Sequence, residues 1–569
     1  MIVLHEKNLI KMKKFVATQF PFTLLKIRSK ASFVLYVAMF TMGACGLAYE
    51  YTLSKVASDL LGNSARQWAI TIGVMMFFMG VGSDVQKYIS NKNLLDKFIT
   101  IEILLGLLGA SGPILILYTY GKFPVYYIIV HYFFITSIGF IIGLEIPLIT
   151  RINQAYTSKL KLNLAGVLKM DYIGSLAGSM AWIFLLPKIF TLIQAAFILG
   201  LLNLLVAGFA LYYFRNLMPK KLNISLFLSV AVIAVLIGYF SSNKWTLYAE
   251  QHLYRDQIVF SHTTLYQHIV LTESKAGDVS CYINGRLQFN SYDEFIYHEN
   301  LVHPAFVIAP YHKNILILGG GDGLALREVL KYPGVKTVTL CDIDPIMTKL
   351  ALESPYFNTL NNNSLTNSKL TVLKNHALIP SGSQIISIDE IETEVKIINI
   401  DAIKFVEQVS GVFDIIILDF PDPNCIELSK LYSKQFYQNV IKKLAAFGIV
   451  VQQSTSPFHA KEVFLCIGRT MKEAGLEVVP YHDNVPSFGE WGWWIGGNAN
   501  QYTTESIKEK MRTITEINVP TRYLTPAIIS ASLEFGKNQL IPQNAEIINT
   551  MVNNKIFELY LQAWKRTGE

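Results

Sequence analysis

Seven apolar stretches, each long enough to cross the roughly 30 Å hydrocarbon core of a bilayer, follow one another in the first 241 residues of this 569-residue chain. They lie near residues 32–52, 67–86, 100–119, 124–147, 167–186, 189–214 and 222–241. Such a succession leaves this part of the chain one architecture, a bundle of spanning α-helices, because lipid offers no partner to backbone N–H and C=O groups. The fifth stretch is the least regular. In it Lys169 and Asp171 precede the small-residue run Gly174-Ser175-Leu176-Ala177-Gly178, a pattern that suits a close-packed helix or a broken, re-entrant one lining a cavity. Glu50, Asp84, Glu145 and Asp171 fall within the spans, where acids face a bundle interior and serve either helix–helix hydrogen bonding or a path for a cationic solute.

Hydrophobic residues make up 51% of the chain and charged residues 16%, which excludes a disordered protein. The net charge of +7 is unevenly spread: residues 1–241 carry 21 Lys and Arg against 8 Asp and Glu, and residues 242–569 carry 28 against 34. The basic excess belongs to the apolar half, so it reads as a topology signal and argues against a nucleic-acid partner. Seven Lys and Arg between Lys7 and Lys30, with no cleavable signal after them, predict a basic cytoplasmic arm over 1–31. The loops alternate in the same sense. Lys87, Lys92 and Lys97, then Arg151, Lys159 and Lys161, then Arg215, Lys220 and Lys221 fall on one side, against Lys55 and Arg66, Lys122, and Lys188 on the other. Seven spans with this bias put residues 242–569 outside the cytoplasm. Five cysteines with no C-x-x-C pair argue against a disulfide framework or a zinc knuckle.

From about residue 255 the pattern changes to short β-rich runs separated by helical segments. Val270 to Gln288 predicts a hairpin with Ile283-Asn284-Gly285-Arg286 as its exit turn. The apolar runs Ile315–Leu318, Val338–Leu340, Val395–Ile398, Ile415–Leu418 and Ile449–Val451, with helices between most of them, predict a parallel sheet covered on both faces. Ligands of such sheets sit at the carboxyl ends of the strands. After the first run stands Gly319-Gly320-Gly321-Asp322-Gly323, where the backbone can approach a ligand and feed a helix N-terminus. The dinucleotide pattern G-x-G-x-x-G fails in either frame, because Leu324 or Leu326 takes the third glycine position. The second strand ends in Asp342-Ile343-Asp344, placed for ribose hydroxyls, and the third in Asp401-Ala402, placed for an adenine amino group. A nucleoside site without pyrophosphate is the S-adenosyl type. The fourth strand ends Leu418-Asp419-Phe420-Pro421-Asp422-Pro423, two carboxylates on a proline-bracketed loop, suited to hold a cationic amine and take its proton.

Several motifs then fall in one order: Gly285-Arg286-Leu287-Gln288, Asp293-Glu294-Phe295-Ile296-Tyr297-His298-Glu299 with His303-Pro304, the glycine turn with Arg327-Glu328-Val329-Leu330, and Asp419 to Pro423. Over residues 255–500 the chain resembles the spermidine synthase (polyamine aminopropyltransferase) family. The apolar front half, with Asp419 to Asn424 and Phe488-Gly489-Glu490-Trp491-Gly492, resembles its membrane-attached bacterial branch. The resemblance implies Asp419 as proton acceptor and Tyr297 as the residue orienting the attacking amine. It implies Gln267, Asp342, Asp401 and Ala402, with Gly320, around decarboxylated S-adenosylmethionine, and His298, Asp322 and Asp422 on the polyamine side. Two departures stand out: Asp342 replaces a usual glutamate, and Phe420-Pro421 replaces a serine-rich loop, which bears on the choice of amine. A polar stretch over about Asn375–Glu394 reads as an insertion, and Asn375-His376-Ala377 within it is a second candidate for the adenine contact. No metal is expected, because His298 and His303 are five apart and a zinc-protease pair needs four.

The expected architecture is thus a basic arm (1–31), a multi-pass α-helical membrane domain (32–241), a small β-domain (255–310), a Rossmann-like, S-adenosylmethionine-methyltransferase-like catalytic domain (311–500) and a C-terminal helical extension (501–569). The expected reaction moves an aminopropyl group onto putrescine or a related polyamine, giving spermidine and methylthioadenosine. The lipid bilayer and a second copy of the chain are further expected partners. Two alternatives are a methyltransferase on the same fold, and a polyamine transporter or sensor with a regulatory nucleoside domain. Substrate supply favours the cytoplasmic face for the catalytic part, against the Lys/Arg count.

Overall fold

The computed structural model describes residues 30–61, 64–157, 159–365, 371–373, 385–388, 391–543 and 546–567. Nearly all of the expected basic arm, and the Asn375-His376-Ala377 alternative, lie outside the described residues. The chain divides once, into compact units ending at Leu253 and beginning at Tyr254.

Among the described residues the first unit holds seven long helices: α1 (Lys30–Leu61), α2 (Ser64–Val85), α3 (Leu94–Lys122), α4 (Tyr127–Asn153), α5 (Leu160–Phe184), α6 (Leu192–Phe214) and α7 (Lys221–Glu250). By length and composition, seven helices of the described residues could cross a membrane. Met39, Phe98, Ile149 and Phe214 pack in its core, while Phe77, Leu222, Leu226 and Phe240 stand outward, 66 to 80% exposed. The fifth stretch is one continuous helix through Lys169-Met170-Asp171, which removes the broken form from consideration. Its small residues explain this. A Cβ at Gly174 would collide with the Phe40 carbonyl oxygen, and one at Gly178 with that of Ala44, so α5 lies backbone to backbone on α1. Asp84 does not face an interior: it sits exposed at the end of α2, paired with Lys87 at 2.7 Å.

The second unit starts with an antiparallel sheet of β1 (Gln257–Thr263), β2 (His268–Glu273), β3 (Val279–Ile283) and β4 (Arg286–Asn290). Asn284 and Gly285, with φ of 51° and 77°, make the tight turn between β3 and β4. The turn is therefore internal to a meander and does not end a single hairpin. Helix α8 (Glu294–Ile308) follows, and then a larger sheet of β5 (Asn314–Gly319), β6 (Thr337–Cys341), β7 (Thr371–Leu373), β8 (Ile385–Ile388), β9 (Ile391–Ile398), β10 (Phe413–Asp419), β11 (Leu444–Gln453), β12 (Leu476–Val485) and β13 (Gly489–Asn498). Its order is β12-β13-β11-β10-β5-β6-β9-β7, with β8 paired to β9. Strands β11, β10, β5, β6 and β9 run parallel, and β13 runs antiparallel to both β11 and β12. The polar insertion contributes β8 and the start of β9, an antiparallel pair.

Alternate residues of the central strands feed two apolar layers, as the pleat requires. Ile315, Ile317, Ile415 and Ile417 meet Leu301, Val302 and Ala305 of α8 together with Ile269, Leu271 and Phe289 of the smaller sheet. Leu316, Leu318, Ile416 and Leu418 meet Phe436, Phe464 and Ile467 on the opposite face. The smaller sheet and the α/β sheet thus share one core. From β5 the chain proceeds to β6 and β9 on one side, then returns to β10 and β11 on the other. The carboxyl ends of β5 and β10, neighbours in register at Gly319 and Asp419, therefore flank the topological switch point.

Candidate active site

At that switch point the glycine turn passes between two carboxylates. A Cβ on Gly320, whose φ is +63°, would lie 3.0 Å from Asp419 Oδ2, and one on Gly321 would lie 2.7 Å from the Asp342 carboxyl carbon. The missing side chains are what lets backbone, Asp419 and Asp342 sit side by side. From α8, Tyr297 Oη donates to Asp419 Oδ1 at 2.7 Å. His298, the next residue, is tied by Nδ1 to the carbonyl oxygen and to Oε2 of Glu294, both at 2.8 Å. Glu294 is held in turn by Arg327 Nη1 at 2.7 Å and Nη2 at 3.0 Å. Arg327 Nε donates to Glu328 at 2.8 Å, and Glu328 meets His303 at 3.0 Å. This buried chain of alternating charge fixes the face of α8 that carries Tyr297 and His298.

Asp322, Asp342, Asp419 and Asp422 are half-buried, each keeping an open edge. Burial lifts Asp419 up to about 6; His298 and the Tyr297 hydroxyl pull it down, while the charge of Asp322 pushes it further up. Burial lifts Asp342 up to about 7, against the N–H groups of Asp344 and Gly321, which donate to it at 2.8 and 3.1 Å. Asp422 is lifted by burial to about 6, opposed by Thr455 Oγ1 at 3.1 Å and Gln453 Nε2 at 3.4 Å. For His298 burial works downward, but Glu294, Asp322 and Asp419 outweigh it and raise the imidazole above its usual range. Acids with open edges thus surround one favoured imidazolium, an electrostatic setting that suits positive charge.

The remaining expected residues are placed as follows. Gln267 lies in the turn after β1, which Thr264 pins to the site by donating to Asp344 Oδ2 at 2.9 Å. Asp401 caps helix α9 (Ala402–Gln408), its Oδ1 accepting from the N–H of Ile403 at 2.9 Å and Lys404 at 3.1 Å. Strands β6 and β9 pair in parallel with Cys341 opposite Ile398, so the ends that lead into Asp342 and Asp401 are adjacent. Gln453, Thr455 and Tyr432 join the site without having been singled out in the sequence. Gln453 Nε2 bonds Tyr432 Oη at 2.8 Å, and Tyr432 Oη donates to the Pro421 carbonyl at 2.9 Å. The polar run Gln452-Gln453-Ser454-Thr455 directly after an apolar strand was the available signal.

Glu299, His303 and Glu328 have ligand-type atoms within 4.8 Å of one another. Each is committed elsewhere: Glu299 accepts from the N–H groups of Arg522, Tyr523 and Leu524, His303 also meets Tyr332, and Glu328 also pairs with Lys331. Of the three, Glu299 anchors the chain near residue 523.

A Rossmann-like sheet with strand-end acids around a glycine turn at the switch point is a ligand-site architecture. The comparisons narrow this. Residues 294–510 match the Spermine/spermidine synthase domain. Polyamine aminopropyltransferase 2 of Ralstonia nicotianae is 34% identical over 546 residues, covering 94% of this chain and 99% of the relative. The polyamine aminopropyltransferase of Leptospira interrogans is 35% identical over 538 residues, with 94 and 99% coverage. A crystal structure of spermidine synthase in complex with the transition-state analogue AdoDATO aligns with 50% of this chain and 88% of its own, at 23% identity and a TM-score of 0.41. The chain belongs to the polyamine aminopropyltransferase family and is a transferase.

Proposed function

We propose that Asp419 takes the proton of the attacking amine, and that Tyr297 holds Asp419 and the amine in line with the donor. Family membership makes the reaction an aminopropyl transfer to a polyamine, with decarboxylated S-adenosylmethionine as co-substrate; it favours neither the methyltransferase nor the transporter or sensor alternative. A primary amine forms a C–N bond to the aminopropyl carbon next to the sulfonium. The C–S bond breaks with its electrons on sulfur, methylthioadenosine leaves, and the new ammonium gives up a proton. Sulfur is already an activated leaving group, so the protein's task is alignment and a place for that proton. The observation carrying this reading is the 2.7 Å Tyr297–Asp419 bond set against the glycine turn at the switch point.

On this reading Gln267, Gly320, Asp342, Asp401 and Ala402 surround the donor, while His298, Asp322 and Asp422 line the amine side, with putrescine as acceptor. Purified full-length protein given putrescine and decarboxylated S-adenosylmethionine should yield spermidine and methylthioadenosine by mass spectrometry. Methylated product from intact S-adenosylmethionine would overturn the assignment.

The seven apolar helices are read as a multi-pass anchor in the cell membrane. Their length and their outward Phe77, Leu222, Leu226 and Phe240 support it. The catalytic unit is placed in the cytoplasm, where the charged donor is made. With seven crossings the N-terminal end then lies on the opposite face, against the Lys/Arg bias. C-terminal reporter fusions decide this: fluorescence without alkaline phosphatase activity is expected, and the reverse contradicts it.

A further inference from the structure

The chain's last helix, α10 (Lys555–Thr567), lies far from every site motif in sequence and beyond the residues that match the family domain. In the structure the segment leading into it is fastened to the loop that follows Asp419. Asn549 Nδ2 donates to the carbonyls of Ser429 at 2.7 Å and Tyr432 at 3.1 Å, and Ser429 Oγ donates to Asn554 Oδ1 at 3.0 Å. Ile556, Leu559 and Tyr560 are buried in the same apolar layer as Phe420 and Tyr432.

Tyr560 is the side chain that reaches the site. It is 2% exposed, it accepts from Arg286 Nη1 at 3.1 Å, and its hydroxyl is among the groups that favour the ionised form of Asp422. The guanidinium of Arg286, on β4, lies 5.4 Å from the Tyr560 ring centroid. Among the described residues no ion pair joins Arg286 directly to Asp422; the guanidinium meets the Tyr560 phenol instead. That arrangement matters chemically. A direct Arg–Asp pair would be bidentate and strong, and would occupy the carboxylate that an incoming ammonium needs. With the phenol as its partner the guanidinium still lets its charge be felt, so the carboxylate is favoured as an anion without being neutralised.

We propose that α10 is a working wall of the amine subsite, with Tyr560 and Arg286 as positioning residues that hold Asp422 open to the substrate ammonium. This rests on Asp422 lying on the amine side. Tyr297 and Tyr432 also face Asp422, Gln453 and Thr455 donate to it, and Arg286 supplies the positive charge.

Steady-state kinetics of full-length Tyr560→Phe, Arg286→Ala and Arg286→Lys, with putrescine and donor varied separately across pH, test this. Losing a hydrogen bond to a charged group is expected to raise the putrescine KM of Tyr560→Phe about tenfold, with kcat and donor KM changed less than about twofold. Arg286→Ala should move the same constant less, and Arg286→Lys should recover most of it. The acid limb of the putrescine KM should shift to higher pH in Tyr560→Phe, because a carboxylate that loses a donor holds its proton more tightly. A wall that is merely structural would lower the thermal midpoint and move both KM values together, overturning the proposal. Unchanged constants would overturn it while leaving Asp422 on the amine side. A rise in donor KM alone would overturn both.

Discussion

In the catalytic unit the acids around the switch point have specific partners: Tyr297 for Asp419, the N–H groups of Gly321 and Asp344 for Asp342, Thr455 and Gln453 for Asp422, and Arg327 and His298 for Glu294. In the helical unit Asp96, Glu102 and Glu145 are 4, 0 and 1% exposed, and both carboxyl oxygens of Asp96 and Glu102 and one of Glu145 have no hydrogen-bond partner among the described residues. Glycine differs in the same way. At Gly320 and Gly321 it brings backbone against charge, whereas at Gly174 and Gly178 it brings helix against helix. One unit gathers polar groups around the switch point; the other combines close helix packing with polar ties away from those acids, such as Ser32–Asn153–Asn163 and Trp182–Thr52.

Substitutions in the two units should therefore fail differently. Asp419→Asn is expected to lower kcat by about 10²–10⁴, the usual worth of a general base. Its thermal midpoint above pH 7 should not fall, since burial disfavours the charge that the amide removes; a parallel collapse of stability would break the comparison. Arg327→Ala leaves buried Glu294 with His298 alone and takes one partner from Glu328, and should destabilise the catalytic unit by about 3–5 kcal/mol, read by denaturant titration. Asp342→Ala, on the proposed donor side, should weaken donor binding by about 1.5–3 kcal/mol while sparing the putrescine KM. Gly174→Val, in the helical unit, overpacks α5 on α1 at a cost of about 1–3 kcal/mol. In that variant kcat/KM of the surviving folded protein should stay at the wild-type value, and its loss would blur the contrast.

The two halves were also legible in the sequence to different degrees. All seven helices showed as apolar stretches, because length and hydropathy suffice to mark them. The continuity of α5 did not, because Lys169 and Asp171 read as an interruption until Gly174 and Gly178 are seen against α1. In the catalytic half, Asp342 and Asp419 were legible because each ends an apolar run, and Gly320 because glycine clusters at such an end have a reason. The hairpin β12–β13 was hidden: Pro480 and four glycines of β13 erase the alternation that marks a strand. The capping bonds of Asp401 depend on where a helix starts to within a residue, which pattern does not fix. Tyr560 was out of reach, since its partner Arg286 lies 274 residues away and no local motif links them.

The Asp419–Tyr297 pair is tested most directly by the pH dependence of kcat, at saturating donor and putrescine, for wild type and Tyr297→Phe. Asp419 must be ionised to accept a proton and is lifted to about 6, so wild-type kcat should fall as pH drops through about 6. The Tyr297 hydroxyl stabilises the carboxylate, so its removal should raise the pKa of Asp419 and move the acid limb to higher pH. A limb that stays in place in Tyr297→Phe, or a wild-type profile flat between pH 5 and 7, would contradict Asp419 as the proton acceptor.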